Sequence, residues 1–257
     1  MKVPAPAEIR LSQGAFRTTR WSVILNAGNA GAGGESGDSA AGSAEDALAR
    51  LCADYWHPVY VFVRRSGHPA DQARDLTQEY FARMIEREYL ADVKPGIGKF
   101  RSFLLASVKH FLANARRDAA AQKRGGGVRP LSLDGEDGEQ VYHLVPQDNR
   151  TPESAYEYQW ATTLLERARR KMAADLERIG KGAQFEAASG HLGAGGDPLP
   201  YEEIAERLGV SVDAAKMVVS RLRKRYGRVL REEIAETLDA GADVEEEVRH
   251  LMAILQG

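Results

Sequence analysis

Apolar residues recur at intervals of three and four along most of this chain, the spacing that places them on one face of an α-helix. The first such stripe consists of Leu48, Leu51, Cys52, Tyr55, Val59, Phe62 and Val63. Further stripes follow at 76–85, 100–112 and 160–172, while the alternation typical of strands is nearly absent. No repeat of roughly 20–50 residues is visible. The sequence therefore predicts an all-α fold.

Two stretches lack helical periodicity and divide the helices into groups. Residues 27–43 are rich in Gly, Ala and Ser and predict a flexible segment. Residues 129–152 carry Pro, Gly, Asp and Asn without a sustained stripe and predict a linker. Pro58 is expected to bend or restart the first helix. The predicted organisation is an N-terminal segment 1–43, a small helical domain 44–127, a flexible linker 128–151, a second small helical domain 152–238 and an acidic C-terminal helix 239–257.

The second predicted domain contains the pattern of a helix-turn-helix. A short helix after Pro200 has its apolar face at Tyr201, Ile204, Ala205 and Leu208, and the next helix has its apolar face at Ala215, Val218, Val219 and Leu222. Between them Gly209 allows the positive φ of a tight turn, Val210 is expected to fill the angle between the helices, and Ser211 is a suitable N-cap. An ordinary helical hairpin with a Gly turn is the alternative interpretation.

The outer face of the second of these helices is polar and basic. It carries Asp213, Lys216, Met217, Ser220 and Lys224, followed by a basic run that ends at Arg231. The major groove of DNA accepts one helix, whose first turns meet base edges while later Arg and Lys side chains hold phosphates. The pattern therefore favours DNA binding.

Charge is segregated along a chain whose net charge is only −2, from 35 basic and 37 acidic residues. One basic block comprises Lys99, Arg101, Lys109, Arg116, Arg117, Lys123, Arg124 and Arg129, with Asp118 as the single acid among them. A second block, without any acid between its ends, comprises Lys216, Arg221, Arg223, Lys224, Arg225, Arg228 and Arg231. Clustered Lys and Arg neutralise phosphates, so two blocks indicate two polyanion contacts, although solvated helix faces give the same pattern.

Motifs for catalysis, metal binding and membrane insertion are missing from the sequence. Cys52 is the only cysteine, the six histidines show no metal-ligand spacing, and no phosphate-binding loop or nucleophile elbow occurs. No apolar run approaches the roughly 20 residues of a membrane span, and no signal peptide is recognisable. We therefore expect a cytoplasmic protein that is not an enzyme, takes no cofactor or metal and does not insert into membranes.

Two segments of the first half resemble the sigma-70 family of RNA polymerase factors. Residues 71–84 read DQARDLTQEYFARM and resemble the polymerase-binding helix of that family. Residues 100–117 read FRSFLLASVKHFLANARR and look like the following helix, which recognises and helps melt the minus-ten promoter element. With a helix-turn-helix in the place of the minus-thirty-five reader, the order resembles the compact extracytoplasmic-function (ECF) type, over roughly residues 21–238.

The resemblance implies a function in promoter-specific initiation, with core RNA polymerase and promoter DNA as partners and an anti-sigma factor as a possible regulator. The implied polymerase contacts are Asp75, Leu76, Gln78, Glu79, Phe81 and Arg83. The implied minus-ten contacts are Lys109, Asn114, Arg116, Arg117, Lys123 and Arg124. The implied minus-thirty-five contacts are Ser211, Asp213, Lys216, Met217, Ser220, Arg221, Arg223 and Lys224. The family usually has Gly-Thr-Val-Lys where this chain has Asp213-Ala-Ala-Lys216, so the base preference does not carry over.

Without the resemblance, the same residues have alternative interpretations. Phe100, Phe103 and Phe111 lie on an apolar stripe, so they are more often core residues than base-stacking ones. A helix-turn-helix repressor or activator that never meets polymerase, or a helical interaction protein, accounts for the same patterns. At the C-terminus, Glu245, Glu246 and Glu247 are expected to lie against 216–231 and mask it, or else their helix completes the core.

Overall fold

The computed structural model describes residues 38–85, 99–121, 138–145, 150–193, 197–238 and 242–256. Within those ranges every extended regular element is helical, and the only strand-like pairing is one antiparallel bridge between Lys99 and Leu238. This confirms the all-α prediction. The helices are α1 (Asp38–Arg65), α2 (Ala70–Ile85), α3 (Phe100–Ala121), α4 (Gly138–Leu144), α5 (Pro152–Arg178), α6 (Gly182–Ala188), α7 (Tyr201–Leu208), α8 (Val212–Ala235) and α9 (Val244–Gln256), with a 3-10 turn at Ser189–Leu192.

The first helix is longer than the sequence pattern predicts. α1 begins at Asp38, so residues 38–43 are helical although they belong to the stretch predicted to be flexible. The alanines of this stretch, Ala40 and Ala41 among them, have the highest helix propensity and outweigh the single Gly42. Nor does the helix restart at Pro58, which lies buried inside α1.

The helices of both predicted domains bury their apolar faces in one continuous core. Tyr55 of α1 and Trp160 of α5 are both buried, and the Trp160 indole N–H donates to the Tyr55 hydroxyl at 3.0 Å. Tyr156, also buried, donates its hydroxyl proton to the carbonyl oxygen of Arg101 at 2.9 Å. The segments 44–127 and 152–238 therefore pack directly against each other, which their separate periodicities did not indicate.

Part of the predicted linker is a helix held by tertiary contacts. Gly138, the first residue of α4, lies so close to Trp56 that an added Cβ would come within 2.7 Å of the indole ring. Glu139 accepts two hydrogen bonds from the Arg64 guanidinium, at 3.0 and 2.7 Å, and one from the Tyr60 hydroxyl. The flexible-linker prediction is thus wrong for 138–144, because seven residues are too few to show helical periodicity and their stability comes from α1.

The terminal helix α9 packs across the boundary between the two predicted domains. Its residues Glu247 and Leu251 are fully buried. Glu245 pairs with Arg231 of α8 at 2.6 Å, as the expected mask over 216–231 requires. The other two acids pair with Lys99, just before α3, and not with the 216–231 block. The Lys99 ammonium lies 3.1 Å from Glu246 and 2.7 Å from Glu247. The masking prediction is therefore wrong for two of its three acids.

Candidate nucleic-acid interface

The turn between α7 and α8 has the geometry predicted from sequence. Gly209 adopts the left-handed conformation with φ 63° and ends α7. The Val210 N–H donates to the Ala205 carbonyl at 3.0 Å and the Gly209 N–H to the Glu206 carbonyl at 3.2 Å, which satisfies carbonyls that a helix end leaves open. Ser211 then caps α8, because its hydroxyl accepts the Ala214 N–H at 3.2 Å.

The inner faces of α7 and α8 form the predicted helix-turn-helix core. The residues buried there include Ile204, Ala205, Ala215, Val219 and Leu222. The expectation that Val210 fills the angle between the helices is wrong, because its side chain is 41% exposed. Its backbone N–H contributes to the C-terminal cap of α7 instead. Further along α8, the Tyr226 hydroxyl donates to the Leu165 carbonyl at 3.0 Å and ties the helix to α5.

The predicted DNA-reading residues lie together on the outer face of α8. All eight of them are exposed: Ser211, Asp213, Lys216, Met217, Ser220, Arg221, Arg223 and Lys224. Four carry local contacts: Lys216 pairs with Asp213 at 3.1 Å, Arg223 donates to the His191 carbonyl at 3.0 Å, and Ser211 is the N-cap described above. Met217, 53% exposed, is an apolar side chain in an otherwise polar surface. The first turns of this face carry side chains that can reach base edges, and cationic side chains lie further along the helix. This is the arrangement of a helix that binds in the major groove of DNA.

The predicted polymerase contacts on α2 range from exposed to fully buried. Asp75 is exposed, and Leu76, Gln78, Glu79 and Arg83 are half-buried, with Arg83 paired to Glu79 at 2.6 Å. Phe81 is fully buried and packs edge-on against Tyr80, with ring centroids 5.2 Å apart. Its assignment as a polymerase contact is wrong for this conformation. The reason is helical spacing, since Phe81 lies on the stripe of Ala73, Thr77, Tyr80 and Met84.

The predicted minus-ten contacts that are described lie on α3. Lys109, Arg116 and Arg117 are exposed and Asn114 is half-buried, whereas Lys123 and Arg124 fall outside the described residues. Lys109 pairs with Glu153 at the start of α5, at 2.7 Å. Arg117 donates to the Asn114 side-chain oxygen at 2.5 Å and Arg116 to the Ser66 carbonyl at 3.3 Å.

The aromatic residues of α3 behave mostly as core. Phe100 and Phe111 are buried, and Phe103 is partly buried against the same core. The Phe100 ring meets that of Tyr55 edge-on at 5.0 Å. The prediction that these residues belong to the core and do not stack on bases is confirmed for Phe100 and Phe111 in this conformation. The nucleic-acid candidates on this helix are therefore its cations.

A set of charged side chains that joins three helices was not predicted from the sequence. Arg101 of α3 binds Glu247 of α9 at 2.5 Å and Glu157 of α5 at 2.6 Å, and its guanidinium lies 4.9 Å from the centre of the Trp160 ring. Burial alone would raise the pKa of Glu247, but hydrogen bonds from Arg101 and Lys99 outweigh it and hold that pKa below its ordinary value. The burial of Glu247 could have been predicted from the sequence, because this residue lies on the apolar face of its helix, four residues before Leu251.

Metal-binding clusters and membrane-spanning helices are both absent from the described part of the chain. No group of three or more His, Cys, Asp or Glu side chains that would hold a metal ion occurs among those residues. None of the described helices combines the length and the apolar character that crossing a bilayer requires. Comparison with protein-family models, with curated proteins and with solved structures gave no match.

Proposed function

We propose that this protein is an ECF-type sigma factor, which binds core RNA polymerase and directs it to promoters from the cytoplasm. The observation that carries the proposal is the second helix of a pair joined by a turn at Gly209: its N-cap Ser211 and seven residues on its outer face are exposed and of the expected types. The resemblance of α2 and α3 to the polymerase-binding and minus-ten helices of that family supports core RNA polymerase as a partner.

In this proposal α8 enters the major groove of the minus-thirty-five duplex. Asp213, Lys216 and Met217 lie in the first two turns of α8, where side chains reach base edges. Met217 would meet a thymine methyl group, the apolar feature of that groove. Arg223 and Lys224, two turns later, would hold phosphates and set the register without reading sequence.

Polymerase docking is assigned to the exposed side of α2. Asp75, Gln78 and Glu79 lie within one and a half turns of each other and present carboxylates and an amide, which pair with Arg or Lys of a partner helix. The cations of α3, Lys109, Arg116 and Arg117, would follow the separated minus-ten strand.

A helix-turn-helix repressor or activator is the second candidate, and one observation favours it. The shared core links α7 and α8, through α5, to the first half of the chain, which suits a compact regulator that binds duplex DNA by itself. Such a regulator would bind a palindromic site as a dimer and without polymerase, whereas a sigma factor needs polymerase for specific promoter engagement.

Run-off transcription with purified core RNA polymerase separates the two candidates. The template set is native DNA from upstream of the protein's own gene, and initiation that requires both core and this protein supports the sigma factor. The Asp75→Ala, Gln78→Ala, Glu79→Ala variant is expected to lose at least about tenfold in core affinity. An Asp71→Ala, Gln72→Ala variant on the same exposed helix is the matched control and should bind like the wild type. A protein that protects duplex DNA alone but initiates nowhere with core would decide for the repressor.

A further inference from the structure

The 3-10 turn at Ser189–Leu192, which we call the 189–192 turn, lies beside the helix-turn-helix and contacts both of its helices. On one side, the His191 ring stacks on the ring of Tyr201, the first residue of α7, with centroids 5.1 Å apart and planes 18° apart. On the other side, the backbone carbonyl of His191 accepts a hydrogen bond from the Arg223 Nε–H, in α8, at 3.0 Å. One residue outside the helix pair therefore touches both helices.

The 189–192 turn is itself held in place by two contacts with the segment that leads into α7. The His191 Nε2 lies 2.8 Å from the Leu199 carbonyl oxygen. Because a carbonyl oxygen only accepts, Nε2 carries the proton and donates it. Gly190 lies so close to the backbone of Asp197 that an added Cβ would come within 2.8 Å of its carbonyl oxygen. The carbonyl that binds Arg223 therefore has a fixed position.

This anchor orders a side chain that belongs to the proposed DNA-binding face. Arg223 is exposed, and its guanidinium has five N–H donors, one of them on Nε. The bond to His191 uses Nε and leaves the two terminal nitrogens, the fork that binds two oxygens of one phosphate. A long exposed side chain otherwise samples many rotamers, and ordering it on binding costs entropy. The anchor removes part of that cost, because the side chain is ordered before DNA binds.

We propose that His191 is a positioning residue for DNA binding, which orders Arg223 so that its terminal nitrogens meet a phosphate beside α8. The inference rests on the DNA-binding part of the proposed function, which the sigma factor and the repressor share. His191 contacts no DNA in this arrangement. Its carbonyl holds the guanidinium, and its ring fixes the 189–192 turn to α7. The segment between α5 and α7 thereby becomes part of the DNA-binding unit.

The Nε–H signal of Arg223 tests the ordering in the free protein. An N–H held by a carbonyl is protected from exchange with water and gives a distinct signal in a proton–nitrogen correlation spectrum. Arg223→Ala identifies this signal by removing it. His191→Ala is expected to weaken the signal at least about fivefold, because the 189–192 turn is no longer fixed. A signal of unchanged intensity in His191→Ala would overturn the inference.

Binding to duplex DNA tests whether His191 acts through Arg223. The probe is a fluorescently labelled duplex of random sequence, because phosphate contacts do not depend on sequence. His191→Ala is expected to weaken binding about fivefold in the wild type and less than about 1.5-fold in the Arg223→Ala variant. Lys224→Ala is the matched second background, since it removes the neighbouring exposed cation, about 100° further around α8. There His191→Ala should still weaken binding about fivefold.

The slope of log affinity against log salt separates positioning from direct contact. Arg223→Ala should reduce that slope by about 0.9, because one phosphate contact is lost. His191→Ala should leave the slope unchanged, because the contact still forms at a higher entropic cost. His191→Gln keeps an N–H donor for the Leu199 carbonyl and should bind within about twofold of the wild type. If circular dichroism shows that His191→Ala unfolds, His191→Phe replaces it in every comparison, since it keeps the ring and lacks the donor.

The outcomes separate failure of this inference from failure of the proposed function. An equal loss from His191→Ala with and without Arg223 would mean that His191 only stabilises the fold, and it overturns the inference. An Arg223→Ala variant that binds as tightly as the wild type does the same. Both results leave the proposed function intact. A wild-type chain that binds no duplex, alone or with core polymerase, overturns the proposed function, while the Nε–H signal still shows whether His191 orders Arg223.

Discussion

Charged side chains lie inside this protein where oppositely charged partners reach them. Glu233 of α8 is 1% exposed, and both Arg167 and Lys171 of α5 come within 2.6 Å of its carboxylate. Isolated buried charges are costly, so each of these groups depends on the others. Residues of this kind determine how the helices are joined. Their substitution should therefore lower the free energy of unfolding far more than substitution of a neighbouring surface residue.

Substitution of Glu233 tests that dependence. Glu233→Gln is expected to lower the free energy of unfolding by about 3 kcal/mol, because Arg167 and Lys171 lose a buried counter-charge. Glu232→Gln, one position earlier and 36% exposed beside Arg228, should change it by less than about 0.5 kcal/mol. Urea unfolding at neutral pH measures both, and similar values for the two variants would contradict the structural role of Glu233.

Glu139 gives the fold a defined response to acid. Hydrogen bonds from Arg64, with a further one from Tyr60, lower the pKa of Glu139 to about 2, from an ordinary value near 4.5. The folded chain therefore binds this proton less readily than the unfolded chain, so the stabilisation is complete above pH 4.5 and is lost as the pH falls towards 2. Between pH 6 and pH 3 the wild type should lose about 1–2 kcal/mol more of its unfolding free energy than Glu139→Gln does. Parallel pH profiles of the two proteins would contradict this role.

At the scale of single elements, the helix-turn-helix depends on one backbone conformation. Gly209 has φ 63°, which an L side chain adopts only at a cost of about 1–2 kcal/mol. Gly209→Ala should therefore destabilise the protein by about that amount. Gly227 lies inside α8 with only the flexible tip of Arg231 near an added Cβ, so Gly227→Ala should stabilise by up to about 1 kcal/mol. Thermal unfolding measures the two shifts, and their opposite signs are the decisive result.

The outer face of α8 makes a second prediction at this scale. Lys224→Ala should weaken binding to all DNA sequences alike and reduce the slope of log affinity against log salt by about 0.9, because one phosphate contact is lost. Changes at Asp213 or Met217 should instead alter which sequence is preferred. Lys181→Ala, an exposed lysine outside the proposed interface, is the control and should leave the slope unchanged. Equal slopes for Lys224→Ala and the wild type would remove Lys224 from the interface.

At the scale of the whole molecule, the shared core makes the chain one cooperative unit. Trp160 of α5 is 2% exposed and bonded to Tyr55 of α1, so neither half keeps its core when the other unfolds. We expect one unfolding transition, with tryptophan fluorescence and helical circular dichroism changing together. Trp160→Ala should lower the stability of the entire chain by about 3–5 kcal/mol. Two separated transitions in the wild type would mean that the halves are independent domains.

Local patterns identified the helices and the proposed DNA-reading face. The α7–α8 pair was predictable because helical periodicity, a glycine and a serine cap act within a few residues of each other. The seven predicted positions on the outer face of α8 followed from the same periodicity, since the side opposite a buried stripe faces solvent. By contrast, α4 was not recognised, because its seven residues are held by contacts with α1. Phe81 lay on a recognised apolar stripe, but the sequence did not show that the packed core covers it completely.

The sequence by itself determined that this protein is helical, where most helices lie and which residues face outward on α8, because these depend on interactions between residues three or four apart. Only the tertiary structure decided that the two halves share a core and that Glu247 turns to Arg101 and away from the 216–231 block. A carboxylate on an apolar stripe signals that it will be buried with a cation, but periodicity does not say which one. That choice depends on how distant helices pack, since a buried ion pair forms only where packing brings both groups together and excludes water.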